Sequence, residues 1–147
     1  MSESWVKRVA RWATGWREHT TPDDVRETKN DGAQAEALAA DFLQERGLRI
    51  VERNFRVRGG EIDLIAREGE SIVFVEVRLR RSREFGGAAA SVTAEKQRRI
   101  ILAARHWLAR QGSRAKRKNC RFDCLLFEKL DRANISWVRH AFTADGH

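Results

Sequence analysis

The chain has one proline, Pro22, two cysteines, and no apolar run near the roughly 20 residues that cross a bilayer. Its N-terminus lacks the apolar segment of a signal peptide, so a soluble, cytoplasmic protein is expected. Cys120 and Cys124 are four residues apart. On a strand that is about 13 Å, too far for a disulfide. No second cluster of cysteine or histidine accompanies them, which removes the usual zinc pattern. The sequence holds no glycine-rich phosphate loop with its Lys-Ser/Thr, no Ser-His-Asp or Cys-His order and no internal repeat. His106 and His140 stand alone and are expected to serve packing.

Acidic residues are also scarce, but only locally. Between Arg78 and Lys118 there are thirteen basic residues against two acids, Glu84 and Glu95, a balance of +11. The whole chain carries +8, so the remainder lies near −3. A basic block with so few interleaved acids suits a polyanion, most economically nucleic acid, better than ordinary surface charge. At 147 residues and 41% hydrophobic content the chain has enough material for one domain with a true core.

The most informative stretch is Gly60–Arg81, GEIDLIAREGESIVFVEVRLRR. Two apolar runs of period two flank Arg67-Glu68-Gly69-Glu70, which predicts a β-hairpin. With an even loop, odd positions before the turn face even positions after it. Glu61 and Asp63 are then expected on the face of Phe74, Glu76 and Arg78. Opposite and diagonal neighbours lie roughly 5 to 8 Å apart, within reach of one divalent cation. Two readings follow. The face is solvated and its acids pair with Arg78, or Asp63 and Glu76 hold Mg²⁺ or Mn²⁺ beside a cation. The second set suits phosphodiester hydrolysis, where a metal polarises the phosphate and activates water while a basic group steadies charge.

Asp63 followed by Glu76-Val77-Arg78 resembles the D…(D/E)xK core of the restriction-endonuclease-like nuclease superfamily. More closely, GGEIDLIAREGESIVFVEVRLRRS with FGGAAASVTAEKQ resembles the YraN family of bacterial proteins, over about residues 32–142. The resemblance implies an α/β sandwich: a central mixed sheet with flanking helices in αβββαβ order. It implies a divalent-metal-dependent endonuclease, with Asp63 and Glu76 as metal ligands and Glu36, on the first helix, turned toward the site. Arg78 stands where the superfamily has lysine. Arginine keeps the charge and clamps phosphate, but with a pKa above about 12 it is no general base. Lys96 matches a basic position of the family and can supply what Arg78 replaces only in part. The alternative is a binding protein on the same scaffold that holds branched or single-stranded nucleic acid without cutting it. DNA is favoured over RNA as the partner, and oligomeric state is open.

The rest of the chain divides at residue 30. Residues 1–30 form a basic extension with Trp5, Val9, Trp12 and Trp16 on one helical stripe. Such a stripe stacks on bases, lies on a membrane surface or packs onto the domain. The α/β domain occupies 31–147. A helix is predicted over Asp31–Arg46, a strand over Leu48–Arg58, and a helix from a Thr93 cap to about Arg110. Strands follow at Arg121–Phe127 and Ile135–Arg139. Asp123 sits among apolar neighbours as a buried acid. Candidate phosphate contacts are Arg80, Arg81 and Lys96, with Arg114, Lys116, Arg117 and Lys118 in a basic loop.

Overall fold

A computed structural model describes residues 22–79, 94–112 and 119–144. The order is helix α1 (Pro22–Glu45), strands β1 (Arg49–Val57), β2 (Gly60–Glu68) and β3 (Ser71–Leu79), helix α2 (Ala94–Gln111), strand β4 (Cys120–Phe127) and strand β5 (Ile135–Phe142). The expected fold class is the observed one. α1 starts at Pro22 rather than Asp31, and a proline suits a first helical position because its missing N–H is not needed there. β5 runs three residues beyond the predicted Arg139. The Trp5–Trp16 stripe and the Thr93 cap lie outside the described residues.

The five strands form one sheet in the order β1-β2-β3-β4-β5. Every neighbouring pair is antiparallel except β3 and β4, which run parallel with α2 as their crossover. α1 packs on one face and α2 on the other. The α1 face buries Leu64, Ala66, Val73, Val75, Leu125 and Phe127 beneath Ala35, Ala39, Ala40 and Leu43. The alanines matter here, since their short side chains let the helix backbone lie close to the sheet. The α2 face buries Ile62, Ile65, Phe74, Phe122 and Leu126 beneath Ile100, Ile101, Ala104 and Trp107. Trp107 meets Phe74 edge to face at 5.9 Å between centroids.

Two local features fix the register. Gly47, two residues past the end of α1, has φ +90°; Gly47 N–H bonds to Gln44 O and Leu48 N–H to Leu43 O, closing the last turn. The β2–β3 turn is tighter than predicted, with only Gly69 and Glu70 between the paired Glu68 and Ser71. Two residues, like four, is an even number, so the predicted parity survives: Leu64 pairs with Val75 and Ile65 with Phe74. Glu61 does not follow it. Ile62 and Ile65, three apart, both enter the α2-side core, so alternation breaks between them. Glu61 instead pairs with Arg56 of β1, its carboxylate 3.5 Å from the guanidinium. That removes Glu61 from the face of Glu76.

Candidate functional site

Glu76 lies on the α2 face of β3, a buried acid with 6% of its surface exposed. Its Oε1 is 3.2 Å from Lys96 Nζ in the first turn of α2 and 3.7 Å from Arg78 Nη1 two residues along the strand. The half-buried Asp63, from the middle of β2, accepts a 2.8 Å hydrogen bond from Val77 N–H through Oδ2. Glu76 lies close enough for its charge to act on Asp63. Glu36, half-buried on α1, adds its negative charge to the same spot. Of the residues anticipated from sequence, Asp63, Glu76, Arg78 and Lys96 thus converge on one place, while Glu36 reaches it only through its charge. Arg80, Arg81, Arg114, Lys116, Arg117 and Lys118 lie outside the described residues.

Two neighbouring carboxyls at the edge of a core are costly if both are ionised. Asp63 carries the consequence: burial raises its pKa well above the usual carboxylate value, the Glu76 charge raises it further, and the Val77 N–H opposes both. The thiol of Cys124, opposite Glu76 on β4, is pushed up by burial first and then by the Glu76 charge. Because Asp63 has a higher pKa folded than unfolded, the folded state holds its proton more tightly. Its favourable contribution is present in acid and lost as pH rises from near 3.8 through the folded value. Asp63→Asn, which keeps an acceptor for Val77 and cannot ionise, is therefore expected to melt above the wild type at pH 8 without divalent ions. The gap should close toward pH 4, and thermal melts across pH check this.

This donor set fits a hard divalent cation. It is anionic, all oxygen, and strained by a repulsion that a cation relieves, and Mg²⁺ commonly takes one or two carboxylates with water and phosphate oxygens completing its shell. Among the described residues no group of three or more Asp, Glu, His or Cys is placed to hold an ion, so substrate and solvent would supply the other ligands.

Sequence reasoning missed a second polar cluster, on the α1 face of the sheet. Asp123, fully buried, accepts from Arg121 Nε at 3.1 Å to each oxygen, from Trp137 Nε1 at 2.9 Å and from His140 N–H at 3.1 Å. Arg121 also donates to Glu68, 2.7 Å away, and this bond holds the Glu68 carboxyl below its usual pKa. His140 has φ +49° at the irregularity between β4 and β5, and its side chain is exposed, so the expected packing role does not apply. The one signal for this cluster was Asp123 itself, an acid within an apolar strand. Nothing in the sequence marked Arg121 or Glu68 as its partners.

A mixed five-stranded sheet between two helices, with an acid pair on adjacent strands and a cation beside it, defines an α/β sandwich of the restriction-endonuclease-like type. Residues 35–127 match the model of the Uncharacterised protein family UPF0102. The chain is 54% identical over 114 residues to a UPF0102 protein of Dechloromonas aromatica (strain RCB), covering 78% of this chain and 89% of that one. It is 51% identical over 114 residues to the UPF0102 protein YraN of Salmonella arizonae, covering 78% and 85%. The chain belongs to the UPF0102 family. Among the described residues no helix is long and apolar enough to cross a membrane.

Proposed function

We propose that the protein is a divalent-metal-dependent phosphodiester hydrolase acting on DNA, with Asp63 and Glu76 as the ligands of Mg²⁺ or Mn²⁺. The observation that carries this reading is the meeting of Asp63 and Glu76 with two cations on one Glu76 oxygen. A bound metal would supply a water of lowered pKa and polarise the phosphate. The chain's own groups do the rest. Asp63 and Glu76 fix the cation, and Glu36 adds negative charge that favours it. Arg78 offers a fork of donors to phosphate oxygens but cannot give up a proton. Lys96 is closer to Glu76 than Arg78 is, so its ammonium is the better placed of the two to orient the attacking water.

The test is a calorimetric titration of Mn²⁺ into wild type and Glu76→Ala, followed by incubation of each with DNA. Metal binding and cleavage are both expected to vanish in the variant, the rate falling by about a thousandfold or more. Cleavage undiminished in Glu76→Ala would overturn the assignment. DNA binding with neither metal uptake nor cleavage in wild type would make this a binding protein, the reading that arginine at position 78 favours.

A further inference from the structure

Arginines are used differently on the two faces of the sheet. On the α1 side they are neutralised: Arg132 meets Asp41 and Glu45, while Arg121 meets Glu68 and Asp123. On α2 they are not. That helix carries Lys96, Arg98, Arg99, Arg105 and Arg110 with a single acid, Glu95. Among the described residues no carboxylate lies within ion-pair distance of Arg98, Arg99 or Arg105, and all three are exposed. A helix kept soluble by charge usually mixes signs at i, i+4. Here the one acid, Glu95, stands at i, i+3 to Arg98 and i, i+4 to Arg99 and forms an ion pair with neither, while Arg98 and Arg105 flank the exposed Leu102 at i, i+4 and i+7. The basic residues of α2 run from Lys96 to Arg110, about 21 Å at the helical rise. This row begins at Lys96, which touches Glu76.

The β1–β2 turn extends the row sideways. A Cβ at Gly59 would meet Leu102 at 3.4 Å and one at Gly60 would meet Arg99 O at 2.3 Å, so this turn rests directly on α2 and sets the exposed Arg58 next to it. We propose that this face of α2 binds the sugar–phosphate backbone of a nucleic-acid duplex and leads it to the Asp63–Glu76 pair. The inference names the form of the substrate, and it rests on the hydrolase reading only for where the reacting phosphate sits. A straight, rigid helix matches the regular phosphate row of a duplex. Single strands are held mainly by stacking on exposed aromatic rings, and every described aromatic residue is buried or half-buried.

The experiment is fluorescence anisotropy in EDTA, with a labelled DNA duplex of about 20 base pairs and its single strand, at salt from about 50 to 200 mM. Wild type is compared with the triple variant Arg98→Ala, Arg99→Ala, Arg105→Ala. Wild type is expected to prefer the duplex. The variant should bind it at least about tenfold more weakly, with a salt slope lower by about 2.7 if each arginine meets one phosphate. Circular dichroism and an Mn²⁺ titration establish that its fold and acid pair are intact. Unchanged affinity and slope in the variant, or tighter binding of the single strand, would overturn the proposal. Loss of duplex affinity in a protein whose wild type takes up no Mn²⁺ would support this surface and sink only the hydrolase reading.

Discussion

Asp123→Ala is expected to destabilise the protein by about 4 kcal/mol, against the roughly 5 to 15 kcal/mol that hold a domain together. The carboxylate is fully buried and is the acceptor for three donors at once: the Arg121 Nε–H, the Trp137 indole N–H and the His140 backbone N–H. Removing it leaves Arg121, 9% exposed, with half its neutralisation gone, and Arg121 Nη2 already has no partner. Breaking a buried ion pair from one side costs roughly 3 to 5 kcal/mol, and each orphaned neutral donor adds to that. Glu68 still holds Nη1, which keeps the figure from the top of the range. Removing both charges together is a different case. In the double variant Asp123→Leu, Arg121→Met the desolvation cost disappears along with the attraction, so it is expected to be more stable than Asp123→Ala alone. Urea denaturation of the two variants checks the order. A cost under about 1 kcal/mol for Asp123→Ala would show that water reaches these donors when the carboxylate leaves.

The contrast between this cluster and the acid pair shows what was legible in the sequence. Asp63 and Glu76 were readable because a hairpin converts sequence spacing into geometry: one parity rule, valid for any even turn, put them together. The rule failed for Glu61, where Ile62 and Ile65 both turn to the α2 core. Burial of two isoleucines outweighed strict alternation, which no single-strand pattern reveals. The helices and strands along the chain were likewise legible, since each rests on local periodicity. Contacts between elements distant in sequence were not. Lys96 could be flagged as a cation, but its 3.2 Å approach to Glu76 depends on how far α2 is shifted along the sheet. Arg121 and Glu68 are 53 residues apart and meet only because β2 and β4 both flank β3.

What sets the shift of α2 is Gly60, and Gly60→Ala is expected to cost about 3 kcal/mol and to separate Lys96 from Glu76. The added Cβ would stand 2.3 Å from Arg99 O, 3.2 Å from Ala103 N and 3.3 Å from Ala103 Cβ. The first two are backbone atoms, so no side chain can rotate to make room. Either the β1–β2 turn or the helix must move. Overpacking of this kind usually costs about 1 to 3 kcal/mol, and rigid neighbours place it at the upper end. For a chain of this size that is a fall in melting temperature of about 6 to 12 °C. Gly69→Ala is the control. Gly69 has φ +58° with nothing near a Cβ, so only the left-handed backbone is penalised, by about 1 to 2 kcal/mol. The two variants also differ in kind. Gly69 lies at the far end of the hairpin, and its replacement leaves α2 in place. Gly60→Ala pushes on the helix one turn from Lys96, so the same displacement that costs stability should weaken the Lys96–Glu76 ion pair. Melting curves for both glycine variants test the order of the costs, and the ¹⁵N resonance of the Lys96 ammonium reports the pair. Equal melting temperatures, with that resonance unmoved in Gly60→Ala, would mean that the turn yields and that α2 is held by its apolar face alone.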